Sequence, residues 1–209
     1  MREWPEMVRP TYERAIFLDR DGTISEDSHY PHRVEDLNFL PGALGVMKHA
    51  AALPVHIIVV TNQAGIALRR FTVQEMVQYN QVLRERLQEA GGRIDAFYYC
   101  PHKEPKELEA GERGCECAKP RPGMLFEAAK DFNLSLRQSF LIGDKQSDIL
   151  AGQAAGCRTW LVKTGKAGSD MEAGTASPHS TVADLAAALA EISLELAGVS
   201  ESRSSVGLP

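Results

Sequence analysis

The sequence predicts an α/β chain: a doubly wound, mostly parallel sheet with helices on both faces, no large cap domain, and one long loop set into the sheet. Three observations predict it. Short, nearly continuous apolar runs alternate with helical patterns; acidic and amide residues cluster just past the ends of those runs; and one stretch of about twenty residues has no periodic apolar face. In order along the chain, 15–18 (Ala-Ile-Phe-Leu) reads as a strand buried on both faces, and 41–53 as a helix. Residues 55–60 read as a second buried strand, and 72–90 as a helix opened by the capping-box pattern Thr72-Val-Gln-Glu75. A strand is predicted at 96–99, a helix at 123–132, a strand at 139–142, a helix at 146–155 stopped by Gly156, and a strand at 158–162. An amphipathic stretch at 182–196 closes the series. Strand and helix in alternation, joined by right-handed crossovers, make a doubly wound sheet.

Residues 1–11 read as a short polar arm, 12–197 as one domain, and 198–209 as a flexible tail of small residues; 163–180, rich in Gly, Ser and Ala, reads as a loop. With 44% hydrophobic and 24% charged residues in 209, the chain has the composition of a globular protein able to bury a core. A formal charge of −5 offers no general attraction for nucleic acid or an anionic membrane, so neither is an expected partner. No apolar run approaches the roughly 18 residues of a spanning helix, and the first residues carry charges and prolines where a leader needs apolar ones. A cytoplasmic monomer is expected.

The chemistry sits at the strand ends. The first strand runs into Asp19-Arg-Asp21-Gly-Thr, the second into Thr61-Asn62-Gln63, and the fourth into Gly143-Asp144-Lys145-Gln146-Ser147-Asp148. Ligands of open α/β sheets bind outside the carboxyl ends of the strands, where these residues lie. Each motif alone has a simpler reading: an Asp-rich turn, a Thr-Asn helix cap, and, for Asp148, a carboxylate on a helix dipole. Lys119, between Ala118 and Pro120 and close to Pro122, has a stiffened backbone. Together Asp-x-Asp, Thr, Asp and Lys make a divalent cation site beside an anion site, and Mg2+ suits the carboxylate oxygens. An aspartate in that setting can attack phosphorus while the carboxyl two residues on serves as acid and base, with Thr61 and Lys119 holding phosphoryl oxygens.

The coreless stretch supplies a second set. Cys100-Pro-His102 and Cys115-Glu-Cys117 form two close-set pairs with 12 residues between them. That is a complete Cys3His set for tetrahedral Zn2+, which would tie down a loop over 100–117, and its four filled positions read as structural. Cys157 reads as a small buried residue.

These motifs, in this order over about residues 15–162, resemble the four motifs of the haloacid dehalogenase-like phosphatases. The resemblance implies Asp19 as nucleophile and Mg2+ ligand, Asp21 as general acid/base and as Mg2+ ligand through its carbonyl, Asp144 as a Mg2+ ligand, and Asp148 as a carboxylate beside the metal. Phe17 to Ile24, Thr61-Asn-Gln63, Tyr98 to His102, Lys119-Pro, Gly143-Asp-Lys145 and Lys163-Thr-Gly-Lys166 are further similar to the zinc-loop branch of that family that acts on a heptose bisphosphate. That likeness implies a small phosphorylated sugar as substrate, lined by Asp27, Ser28, His29, Tyr30, Thr61, Asn62, Gln63, Ala64, Ala118, Lys119 and Lys145. The branch commonly carries Arg before the motif lysine; here the position is Ala118, and Arg121 is the nearby candidate for a replacement cation. Histidinol-phosphate phosphatases share the zinc loop in a shorter form, and an inactive zinc-loop binding module is the reading from a different class.

Overall fold

The computed structural model describes residues 2–3, 11–104, 107–110, 113–170 and 176–198. The strands are β1 (Arg2–Glu3), β2 (Ala15–Leu18), β3 (His56–Asn62), β4 (Ala96–Cys100), β5 (Phe140–Gly143), β6 (Arg158–Val162) and β7 (Ser180–Val182). The helices are α1 (Ala43–Ala50), α2 (Val73–Glu89), α3 (Gly123–Phe132), α4 (Gln146–Ala155) and α5 (Leu185–Leu196). The sheet order is β1-β4-β3-β2-β5-β6-β7, parallel throughout β2 to β7 and antiparallel only where β1 meets β4. No inserted domain interrupts the sheet among the described residues.

Alternation along the strands explains the two faces. Ile16, Leu18, Ile57, Val59, Ile142 and Trp160 point to one side and pack with Met47 of α1, Tyr79 and Leu83 of α2 and Leu189 of α5. Ala15, Phe17, Ile58, Val60, Tyr98 and Leu141 point to the other, against Met124 and Leu125 of α3 and Ala151 of α4. Cys157 is buried in this second cluster, and burial pushes its thiol up to about 12, so it is an unreactive core residue.

The chain winds β2, β3, β4 in one direction and then returns to place β5 on the free side of β2. The carboxyl end of β2 therefore lies at the topological switch point, where the connections on its two sides diverge and leave a crevice. Asp19 continues the ladder there, its N–H donating to Ile142 O at 2.9 Å.

Two short strands depart from the sequence reading. Arg2 and Glu3, expected in a polar arm, pair with Tyr98 and Phe97 and extend the edge of the sheet; the other arm residues up to 10 and the tail from 199 lie outside the described residues. Ser180–Val182, expected at a loop end and in the first turn of a helix, pairs with Trp160 to Val162. Three residues at an edge carry too little apolar period to be read alone. The helix then begins at Leu185, where the Asp184 side chain caps it by accepting from Ala187 N–H at 2.9 Å. At α2 the capping box is present, with Glu75 N–H donating to Thr72 Oγ1 and Thr72 N–H donating to Glu75 Oε2. No helix among the described residues is long and apolar enough to cross a membrane.

Candidate active site

The carboxyl ends of β2, β3 and β5, the segment before α3 and the first turn of α4 converge on one buried centre. Lys119, 3% exposed, donates from Nζ to Asp19 Oδ1 at 2.7 Å and to Val60 O at 2.8 Å, and pairs with Asp148 Oδ1 at 2.5 Å. Its backbone is clamped by the Asn62 side-chain amide, which accepts from Lys119 N–H at 3.0 Å and donates to Lys119 O at 3.1 Å. Asn62 is thus a brace between β3 and the motif lysine and not the helix cap its sequence context suggests. Asp148 makes two contacts here. It closes a capping box by accepting from Lys145 N–H at 3.1 Å, and it faces the lysine.

The electrostatics follow from burial opposed by charge. Burial pushes Asp19 up, but the charges of Lys119 and Lys145 and the Lys119 hydrogen bond outweigh it and hold the carboxyl below its usual range. Lys119 is held well above the usual lysine range, because Asp148 and Asp19 outweigh its own burial. Asp144 is pushed up to about 8, first by burial and then by the charge of Asp19, and Asp148 to about 6, chiefly by burial.

One oxygen on each of two carboxylates has no protein partner. Asp19 Oδ2 and Asp144 Oδ1 are buried without a hydrogen bond, and Asp19, Asp144 and Asp148 each bring an oxygen within 4.8 Å of the others. Buried, unpartnered carboxylate oxygens facing one another suit a hard divalent cation, so the residues fit Mg2+. Gly22 makes room for this: at φ +90°, a Cβ there would lie 2.3 Å from Asp144 Oδ2.

Asp21 is oriented differently from Asp19. Arg20 donates to both of its oxygens, from Nε at 2.9 Å and from Nη2 at 2.8 Å, and Gln63 Nε2 bridges Asp21 Oδ2 and Thr61 Oγ1 at 3.2 and 3.0 Å. Arg20 is fully buried, held by Asn80 Oδ1 at 2.8 Å and Pro31 O at 3.1 Å and stacked on Tyr79. Sequence reasoning passed over Arg20. The available signal was its place between two aspartates that face the crevice, which turns an intervening side chain toward the core, where a guanidinium needs several partners.

Above the centre lies a cleft of about 360 Å³ lined by Asp21, Asp27, His29, Tyr30, Pro31, Asn62, Gln63, Glu104, Lys145 and Lys166. Of the residues expected to meet substrate, Asp27, His29, Tyr30, Asn62, Gln63 and Lys145 line this space. Thr61, Ala64, Ala118 and Lys119 lie beneath it, each buried, and Ser28 is exposed outside it. His29 and Tyr30 both take left-handed backbones, φ 62° and 66°, which non-glycine residues adopt at a cost of about 1 kcal/mol each or more. Tyr30 is held there by its hydroxyl donating to Glu107 Oε1 at 3.0 Å and by Arg70 over its ring. Arg121 does not reach the cleft. It donates from Nη1 to Cys115 O at 2.6 Å and pairs with Glu116, bracing the loop instead of supplying the cation that Ala118 lacks.

The second cluster lies beyond the end of β4. Cys100 Sγ is 3.5 Å from His102 Nδ1 and 3.4 Å from Cys115 Sγ, and Cys117 Sγ lies 3.0 to 3.3 Å from the other three. A tetrahedral Zn2+ with ordinary bond lengths needs S···S separations of about 3.8 Å and S···N separations of about 3.5 Å, so the Cys100–Cys117 pair stands about 0.8 Å inside such a shell and the other pairs half an ångström or less, an arrangement that small outward shifts would fit to the ion. None of the cysteines is in a disulfide. Hydrogen bonds from the neighbouring thiols push Cys117 down to about 5, while the bond to Cys117 and burial push Cys100 up.

Comparison with known proteins places this geometry. A family model described as HAD-hydrolase-like matches residues 116–188. The D-glycero-beta-D-manno-heptose-1,7-bisphosphate 7-phosphatase of Pasteurella multocida is 39% identical over 155 residues, covering 74% of this chain and 84% of the relative. The protein of the same name from Helicobacter pylori strain 26695 is 41% identical over 140 residues, 66% of this chain and 77% of the relative. The chain belongs to the haloacid dehalogenase-like phosphatases. Such enzymes are phosphoric monoester hydrolases, and in this chain Asp19, Thr61 and Asp144 stand at the carboxyl ends of β2, β3 and β5, with Lys119 in the segment before α3. A crystal structure of D,D-heptose 1,7-bisphosphate phosphatase from B. bronchiseptica, complexed with magnesium and phosphate, superposes with a TM-score of 0.77 at 30% identity, over 87% of this chain and 99% of that one.

Proposed function

We propose that this chain is a Mg2+-dependent phosphatase that removes the C7 phosphate of D-glycero-D-manno-heptose 1,7-bisphosphate through an aspartyl-phosphate on Asp19, in the cytoplasmic synthesis of nucleotide-activated heptose. The observation that carries the reading is Asp19 itself. It is buried at the switch point, ionised against Lys119 and left with a free oxygen, in a chain whose relatives are named for that hydrolysis.

The Asp19 carboxylate attacks phosphorus, forming one P–O bond as the P–O bond to the sugar C7 oxygen breaks. Asp21 gives that oxygen a proton. Water then attacks phosphorus, Asp21 takes its proton, and the bond to Asp19 breaks, which restores the carboxylate and frees inorganic phosphate. Lys119 Nζ and the Thr61 hydroxyl hold phosphoryl oxygens, and Gln63, bonded to both Thr61 and Asp21, ties the two halves of the reaction together. The Asp19 and Asp144 carboxylates and the Asp21 carbonyl would hold Mg2+, which when bound would offset the repulsion between carboxylate and phosphate dianion. Asp27 to Tyr30, Asn62 to Ala64, Ala118 and Lys145 shape the sugar site. Cys100, His102, Cys115 and Cys117 would hold Zn2+, which would tie down the loop that forms one wall.

Phosphate release with Mg2+ from heptose 1,7-bisphosphate, histidinol phosphate and p-nitrophenyl phosphate tests this reading. The bisphosphate should be preferred, and Asp19→Asn should lose on the order of 10⁴-fold or more in kcat. Full activity in Asp19→Asn overturns the nucleophile, and preference for histidinol phosphate overturns the substrate while leaving the chemistry standing.

A further inference from the structure

The cleft carries its lysines on one wall. Lys145 Nζ lies 3.6 Å from Asp27 Oδ2, and Lys166 Nζ lies 4.0 Å from the same oxygen; these are the two lysines that line the cleft among the described residues. Lys145 follows β5 and Lys166 follows β6, both on one side of β2, whereas the loop after β4 lies on the other side. That opposite wall is acidic: Glu104 accepts from Asn62 at 3.3 Å, and Glu107 accepts from Tyr30. Ala118 has no charge to offer, and Arg121 is committed to Cys115 and Glu116. Lys119 is buried beneath the cleft and shared among Asp19, Asp148 and Val60.

Lys166 is fixed to the reacting centre by its own backbone. Its N–H donates to Asp144 Oδ2 at 2.6 Å, Thr164 Oγ1 donates to Gly22 O at 2.6 Å, and Gly168 N–H donates to Asp144 O at 2.7 Å. Gly165 lets the strap lie this close. At φ +56°, a Cβ there would meet Asp144 Oδ2 at 2.2 Å and the Gly22 Cα at 2.7 Å. The strap therefore holds an Asp144 oxygen from below while presenting a half-exposed ammonium to the cleft from above.

We propose that Lys166, with Lys145, binds the second, non-reacting phosphate of the substrate, and that the strap over residues 163–168 sets its distance from the reacting one. The proposal rests on the bisphosphate reading and deepens it. Two ammonium groups match a phosphate dianion, and Asp27, which faces both in the free enzyme, is released to accept a sugar hydroxyl when phosphate takes its place. The site discriminates by charge at the far end of the substrate, on the wall opposite the one where Ala118 replaces the family's arginine.

The test compares heptose 1,7-bisphosphate with the heptose 7-phosphate that lacks the distal group, in the wild type, Lys166→Ala and Lys166→Arg, with Mg2+ and Zn2+ bound. Lys166→Ala should raise KM for the bisphosphate and lower the ratio of kcat/KM values, bisphosphate over monophosphate, by about tenfold or more, with Lys166→Arg recovering most of it. An equal loss on both substrates shows a strap role alone and overturns the phosphate site, as does an unchanged ratio. A wild type that hydrolyses neither heptose phosphate overturns the substrate reading beneath it.

Discussion

The two polar clusters of this molecule each use four side chains, and they are held in place by different means. Asp19, Lys119, Asp144 and Asp148 are all buried, and each is attached to a strand end, a helix start or an amide clamp that exists for reasons of sheet and helix geometry. Cys100, His102, Cys115 and Cys117 have one anchor in the sheet, Cys100 at the end of β4; the other three sit on a loop with no strand or α-helix among its described residues. The carboxylate cluster therefore carries an internal cation, Lys119, paired with Asp19 and Asp148. The thiol and imidazole cluster has no such cation among its four side chains. A site built on strand ends is positioned by the fold, whereas a site built on a loop positions the loop.

The largest effect expected from breaking that contrast comes at Lys119. Lys119→Met keeps the length of the side chain but leaves Asp19 and Asp148 buried without their cation, which should cost about 3–5 kcal/mol of stability in chelator, read by urea unfolding, along with the loss of phosphate release. Unchanged stability would show that the carboxylates do not need the lysine. Cys115→Ala should act locally. Metal analysis should find the Zn2+ content fall from about one per chain toward none, limited proteolysis should cut within 101–117, and global stability should fall by only about 1 kcal/mol, or about 2–4 °C in Tm. Retention of tightly bound zinc by that variant would remove Cys115 from the ligand set and weaken the contrast.

The smallest effect sharpens the comparison through pH. An unfolded aspartate titrates near 3.8, whereas Asp144 in the folded, metal-free chain is pushed up to about 8. Between those values the folded state binds the extra proton, so stability falls as pH rises from about 4 to 8 and levels off beyond. Asp148, pushed up to about 6, adds to the slope in the same direction. Mg2+ binds the ionised carboxylates and should flatten the slope, a difference of a few degrees in Tm at pH 8 with and without the metal. A metal-free Tm that climbs through this window would contradict the burial of Asp144.

Much of this is legible in the sequence. The apolar runs at 15–18 and 55–60 are visible because parallel strands buried on both faces have no polar side to interrupt them, and the capping pattern at Thr72 is a local rule that the structure obeys. Arg20, Asn62 and the strap at 163–168 were not legible, for a shared reason. Their partners are Asp21 and Asn80, the backbone of Lys119, and Asp144 with Gly22, and most of these pairs are separated by twenty to more than a hundred residues. A Gly- and Ser-rich segment reads as a loop whether or not it is bonded along its length.

The sequence alone determined the order of the five buried strands and the helices, the residue types at the strand ends, and the spacing of the Cys and His pairs, because each follows from local periodicity or from ligand chemistry. Only the tertiary structure decided which way the side chains turn. It sent Arg121 to the carbonyl of Cys115 and away from the cleft, gave both Asp21 oxygens to Arg20, and set Lys166, after β6, beside Lys145, after β5, near Asp27. Direction is a property of packing between elements distant in the chain, and no local pattern encodes it.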